Sequence, residues 1–297
     1  DPNGLTTTLT YTPRGWLATR TVAGRTTRYD YDGVGQVVKI TLADNSTISY
    51  TYDAAHRLTD ITDNLLNRIH YTLDPIGNRV KEDVFDANNT LTTSKSRVFD
   101  ALNRLWKDIG AYNQTTVYAY DPNGNLTSVT DPLNRTTSNT YDALNRLAQT
   151  TDALSGVTKY GYDPLDQLKN LTDPRNLTTG YSVNALGDET TLTSPDSGTT
   201  NRTFDAAGNL KTATDARGVA ATLSYDALNR ITQVSYPTSG ENVSFTWDAA
   251  PGCSNGVGQL CQVTDSAGAT TFAYDAWGHL IQETRTEAGV SYVTAYT

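Results

Sequence analysis

The sequence has no methionine, two cysteines and three histidines, and no apolar run approaches the ~20 residues that cross a bilayer as a helix. Each shortage excludes something. Two cysteines are too few for a zinc site of their own, and His56, His70 and His279 are scattered without metal-ligand or triad spacing. Basic residues are the minority, 23 Lys+Arg against 32 Asp+Glu, for a formal net charge of -9. A nucleic-acid interface needs excess positive charge to displace counterions, so that class is disfavoured. Hydrophobic residues make up 37%, low for a compact globule, while 19% charged residues is too modest for a disordered chain. No secretory leader is visible. With an opening Asp1-Pro2-Asn3-Gly4 and an end at Tyr296-Thr297, where a further unit would start, the chain reads as an interior piece of a longer polypeptide.

Threonine, asparagine, aspartate, glycine and tyrosine fill the gap, and they are arranged periodically. Tyr120-Asp121 opens YDPNGNLTSVTD, Tyr141-Asp142 opens YDALNRLAQTTD and Tyr162-Asp163 opens YDPLDQLKNLTD. The same unit opens at Tyr225-Asp226 and Tyr274-Asp275, and in degenerate form at Tyr31-Asp32, Tyr52-Asp53, Leu73-Asp74, Phe99-Asp100, Val183-Asn184, Phe204-Asp205 and Trp247-Asp248. From position 99 to position 225 the first residue of the pair advances by 21 six times in succession. Steps of 26 (73 to 99) and 27 (247 to 274) mark insertions, expected as loops near 86–96 and 249–256.

Each unit carries two reversal signals, one after the Tyr-Asp pair and one about ten residues on, as in Asp131-Pro132-Leu133-Asn134 and Asp215-Ala216-Arg217-Gly218. Between them lie alternating Thr/Val/Tyr-rich segments of strand length, such as 115–120 and 126–130. Two short strands and two tight turns per unit leave no room for a crossover helix. The expected fold is therefore all-β: tandem 21-residue antiparallel hairpins in one array over residues 1–297, about 13 units with no separate catalytic domain. Roughly 24 to 26 strands at ~4.8 Å spacing would make a flat sheet about 120 Å wide, far beyond what twisted open sheets tolerate, so the sheet should coil. Large residues at the repeat position (Tyr52, Phe99, Tyr120, Tyr141, Tyr162, Phe204, Tyr225, Trp247, Tyr274) are expected to stack along one face.

The unit YDALNRLxxxTDxxGxxTxxxYD closely resembles the YD repeat of the RHS family, which includes bacterial Rhs polymorphic toxins, C components of insecticidal Tc toxins, wall-associated proteins and teneurins. The opening DPNGLTTTLTYTPRGWL and the stretch WDAAPGCSNGVGQLCQVTD at 247–265 also look like bacterial RHS sequence. The resemblance implies a spiral, hollow β-shell that encloses a C-terminal toxin or effector of a secreted or cell-surface bacterial protein. The partners so implied are the rest of the parent polypeptide and its enclosed effector. Toxin members end their core with a self-cleaving aspartyl site. Asp121-Pro122-Asn123-Gly124 and Asp131-Pro132 share some of its letters, but they fall on the regular turn positions of the repeat.

No residue stands out as catalytic, cofactor-binding or metal-ligating. A feature present in nearly every unit is structural, because chemistry needs its residues once. The tyrosine (or Phe/Trp) should end a strand on a buried face, and the aspartate should cap the following turn: Tyr31, Asp32, Tyr52, Asp53, Phe99, Asp100, Tyr120, Asp121, Tyr141, Asp142, Tyr162, Asp163, Phe204, Asp205, Tyr225, Asp226, Trp247, Asp248, Tyr274 and Asp275. No stretch matches a calcium loop, and no acid pair is singled out for glycoside hydrolysis. His56 and His279 stand in the turn position usually held by Asn. Cys253 and Cys261 flank the reversal Asn255-Gly256-Val257-Gly258; they face one another as a disulfide or remain free thiols, according to register. Nine Asn-x-Ser/Thr sequons, among them Asn45, Asn125 and Asn242, arise from the Asn- and Thr-rich turns themselves. The alternative function is an extracellular adhesin, wall-associated stalk or filament. It would bind a cell-surface glycan through Trp16, Trp106 and Trp277, or self-associate through open sheet edges.

Overall fold

The computed structural model describes residues 5–296; Asp1–Gly4 and Thr297, which bear on the reading of cut ends, lie outside the described residues. Within them are 27 β-strands, mostly of five to seven residues, and a single turn of 3-10 helix at Ser239–Glu241. The chain divides into two compact units, Thr6–Val157 and a second that runs from Thr158. In the first, the strands from Thr7–Tyr11 to Leu147–Thr151 each pair antiparallel with the next in sequence. In the second, the strands from Val157–Tyr162 to Val290–Ala295 do the same. The all-β hairpin array is thus the observed fold, and the strand positions follow the alternation of Thr, Val and Tyr.

The two reversals of a unit share one backbone design. At the Tyr-Asp end, the Asp142 amide donates to the Arg146 carbonyl (2.9 Å) and the Asn145 amide to the Asp142 carbonyl (3.0 Å). At the other end, Asp131 and Asn134 make the equivalent bonds, each 3.0 Å. The fourth turn residue must take a left-handed conformation, with φ of +61° at Asn145 and +60° at Asn134, and asparagine and glycine are the residues that adopt it at least cost. The Tyr-Asp end carries a bulge: Thr140 pairs with Gln149 but Tyr141 with Leu147, and the far turn at Asp86 carries one as well, between Val84 and Phe85. The added twist of a bulge at the same end of successive hairpins bends strands in a consistent sense.

Few side chains are fully buried. Tyr71, Cys261 and Ala273 are the buried hydrophobic ones among the described residues, and most strand positions are half-covered. Strands pack on their sequence neighbours, so cohesion comes from ladder hydrogen bonds and cross-strand pairs rather than from a thick two-layer core.

The two insertions differ in kind. The step of 26 is not a loop: strands Arg79–Phe85 and Leu91–Phe99 are simply longer, joined by a standard turn at Asp86–Thr90. Added residues that keep the alternation extend the ladder, which satisfies more backbone groups than a loop would. The step of 27 is a true loop between strands Val243–Trp247 and Leu260–Thr264.

Candidate functional site: the Tyr-Asp turn and its clasp

Each Tyr-Asp turn is built around one carboxylate. Asp142 Oδ1 accepts from the amides of Leu144 (2.9 Å) and Arg146 (3.0 Å), while Oδ2 accepts from Arg146 Nε (2.7 Å). Asp53, Asp100 and Asp226 repeat the pattern with Arg57, Arg104 and Arg230. Where the fifth turn residue is asparagine, its amide replaces the guanidinium, as Asn125 does on Asp121 and Asn209 on Asp205. The side-chain and backbone bonds from Arg146 hold the Asp142 carboxyl below its usual range, and those from Asn125 do the same for Asp121. With these bonds the carboxylates are consumed by their own turns. Among the described residues no group of three His, Cys, Asp or Glu side chains could hold a metal ion.

The ring residue fastens one hairpin to the one before it. Tyr141 Oη donates to the Leu126 carbonyl (2.9 Å), Tyr120 to Leu105 (2.9 Å), Tyr52 to Val37 (2.8 Å), Tyr225 to Leu210 (2.9 Å) and Tyr274 to Leu260 (2.7 Å). Trp247 makes the same bond to Ile231 through its indole N–H (2.8 Å). Contrary to the expected row of rings, the cross-strand partner of each ring is an aliphatic residue, as Leu147 is for Tyr141, Leu126 for Tyr120 and Ile231 for Tyr225, so equivalent ring positions lie two strands apart. Trp16 and Tyr31 form an aromatic pair (centroids 5.3 Å apart), with the tryptophan coming from the turn rather than from the repeat position.

Two further links cross the same seam. Arg57 Nη1 donates to the Asp74 carbonyl and Arg104 Nη1 to the Asp121 carbonyl, both 3.0 Å; Arg104 also lies over the Tyr120 ring, 4.6 Å from its centre. The left-handed asparagines bridge neighbouring turns, with Asn145 Oδ1 accepting from Asn123 and Asn125 (2.9 Å each) and Asn229 from Asn209 (2.9 Å). The arginine at the fifth turn position and the tyrosine hydroxyl had no role assigned from sequence. The recurrent Asp-Ala-Leu-Asn-Arg spelling was the available signal for the first.

Other singled-out residues fall into place individually. His56 holds the left-handed position (φ +63°), but His279 lies one residue later, where it contacts Asp275 (3.0 Å) as the arginines do. Gly278 supplies the left-handed residue there, so the spacing from the aspartate, not the neighbouring glycine, defines the position. Cys253 and Cys261 are joined as a disulfide. Trp106 is exposed, whereas Trp16 and Trp277 are half-buried, so the three do not form a common exposed platform.

One stretch departs from the repeat chemically. The cross-strand row Ser128–Ser138–Thr151 is neutral, and so is Thr212–Thr222–Ser235. The equivalent row at Asp60–His70–Asp83 is not. His70 Nδ1 is 2.8 Å from Asp60 Oδ1, which also receives Arg68, and Lys81 bonds Asp83 (2.8 Å). Asp83 is buried, and its Oδ1 accepts no hydrogen bond. Burial pushes its carboxyl up, but Lys81 and the neighbouring Ser94 outweigh it, so the net shift is downward.

A self-sufficient turn clasped to its predecessor by a ring hydroxyl, copied along a meander, defines a tandem β-hairpin repeat protein. The RHS repeat model matches residues 31–68, 120–157, 141–178, 204–241 and 255–290, more than half of the chain, which therefore belongs to the RHS repeat family. Among solved structures, the chain is similar to the TcdB2-TccC3 crystal structure (TM-score 0.59, 14% identity, 98% of this chain and 21% of that one) and to the TcdB2-TccC3-Cdc42 structure (TM-score 0.58, 14%, 98% and 21%). The Tc holotoxin pore of Photorhabdus luminescens also matches (TM-score 0.57, 14%, 95% and 20%). The chain spans about a fifth of the length of these chains.

Proposed function

We propose that this chain is a section of an RHS β-shell, a scaffold that encloses a C-terminal toxin or effector of a secreted bacterial protein. The observation that carries the reading is the recurrent clasp: carboxylate, guanidinium and, where the ring is tyrosine, its hydroxyl are spent on holding successive turns together at one seam. A wall is what such an expenditure produces, since an enzyme would leave a polar cluster free for substrate. Membership of the RHS repeat family and the likeness to Tc toxin structures support the same role. The array over residues 1–297 contributes wall and no catalysis; its partners are the rest of the parent polypeptide and the enclosed effector, outside the producing cell.

Small-angle X-ray scattering of the purified chain, with a solution mass, tests the proposal. A pair-distance distribution with the deficit of short vectors typical of a curved wall section is expected. A thin rod, or a mass that grows by end-to-end association, would overturn the container in favour of a stalk or filament.

A further inference from the structure

The loop after Trp247 is a departure from the repeat that the wall does not require, and its Asp248, Ser254 and Asn255 side chains all bond neighbouring turns or its own base. Asp248 takes a left-handed φ of +68° and is gripped from the previous turn by Arg230, Nη1 to Oδ1 (3.0 Å) and Nη2 to Oδ2 (2.6 Å). Its Oδ1 also accepts from the Gly258 amide (2.7 Å), closing the base of the loop. The disulfide Cys253–Cys261 closes the middle; Cys261 is fully buried and Cys253 half-exposed. Gly256 lies directly on the two sulfurs, where a Cβ would overlap both. The tip then reaches the next hairpin: the Ser254 carbonyl accepts from the Tyr274 amide (3.1 Å), and Ser254 Oγ (2.9 Å) and Asn255 Nδ2 (2.8 Å) donate to the Tyr274 carbonyl. In ordinary repeats one arginine or asparagine side chain spans this gap, as Arg57, Arg104 and Asn209 do. Here a cross-linked loop does it.

We propose that the Cys253–Cys261 disulfide is a thiol-sensitive latch, which keeps the loop tip locked onto the end of the following hairpin and lets go in a reducing compartment. The inference stands on the loop alone and does not depend on what the wall encloses. A thiolate from a small dithiol or tripeptide thiol attacks the half-exposed Cys253 Sγ, and the S–S bond breaks with Cys261 leaving as thiolate and taking up a proton. A second thiol then resolves the mixed disulfide, leaving two cysteine thiols and an oxidised small-molecule disulfide. With the cross-link gone, the loop is held by hydrogen bonds alone, among them Asp248 to the Gly258 amide at its base and the Cys253 amide to the Ala250 carbonyl, and the three hydrogen bonds to Tyr274 lose their preorganisation.

Amide hydrogen exchange on the purified chain, with and without dithiothreitol, tests this. Reduction, verified by mass, should accelerate exchange of the Tyr274 amide at least about tenfold, and reoxidation should reverse it. The Asp163 amide, bonded to the Gln167 carbonyl in a distant turn, should not change. A C253S/C261S variant, which cannot form the bond, should accelerate Tyr274 without any reductant. The latch is overturned if the bond resists dithiothreitol under native conditions. It is equally overturned if Tyr274 stays protected after reduction or in the variant, or if Asp163 accelerates alongside Tyr274.

Discussion

A tyrosine hydroxyl and a left-handed asparagine do most of the specifying in units such as the one opened by Tyr141. Tyr141 places a ring over the strand end and a hydroxyl on the Leu126 carbonyl, so Tyr141→Phe tests the polar half alone. It should lower stability by about 1 kcal/mol in urea unfolding, the net worth of one ordinary hydrogen bond. A null effect would mean that water replaces the phenol at that carbonyl. Asn145 carries a φ of +61° and its Oδ1 accepts from Asn123 and Asn125, so Asn145→Gly keeps the backbone freedom and should cost about 1 kcal/mol for the lost bridge. Asn145→Val, which loses the bridge and is also forced into the left-handed region, should cost about 1–3 kcal/mol more in the same measurement. Equal stability of the two variants would show that the turn had changed type.

At the scale of the hairpin, the informative element is the one that breaks the rule. Lys81 is the ion-pair partner of a buried carboxylate whose other oxygen is already unpartnered. Lys81→Ala strips that partner and should destabilise the chain by about 1–3 kcal/mol. Adding Asp83→Ser to the same chain restores the neutral chemistry of rows such as Ser128–Ser138–Thr151 and should recover most of the loss. If the double variant is as unstable as the single, the lysine acts through its aliphatic stem and not its charge. A substitution pair of this kind also separates the repeat's structural grammar from any local purpose of the charged row.

Across the whole molecule the turn aspartates act together. Arg57 on Asp53, Arg135 on Asp131 and Arg146 on Asp142 lower the carboxyls from their usual 3.8. Asp248 is held furthest down, to about 2, by Arg230 and then by the Gly258 amide. A carboxyl with a folded pKa below its unfolded value binds protons more readily when unfolded. Its stabilisation is therefore complete above the unfolded pKa and is lost as pH falls through the folded one. Thermal midpoints should be flat from about pH 7 to 5 and fall steeply between about pH 4 and 2, with a slope that reflects many turns at once. A midpoint that stays level to pH 2.5 would mean that the turn bonds survive protonation. Because the pairs are only half-buried, added salt should shrink their Coulombic share more than the amide-to-carboxylate share.

The sequence by itself determined the fold class, the period and the strand spans, because those follow from local chemistry. Alternation sets the strands, a left-handed asparagine or glycine ends each turn, and a period of 21 leaves no room for anything but a meander. Family membership was legible for the same reason, since Tyr-Asp-Ala-Leu-Asn-Arg is a local spelling. Three things were settled only by the tertiary structure, each because it joins residues that one strand's sequence cannot relate. The tyrosine hydroxyl finds a carbonyl 15 residues back, which depends on the bulge between Thr140 and Tyr141. The 86–96 insertion became longer strands because both sides of the hairpin grew in register, a property of the pair and not of either segment. The charged row at Asp60, His70 and Asp83 draws on three separate strands, and their letters meet only once the ladders are laid side by side. Local sequence sets what each element is, and register decides which side chains face one another.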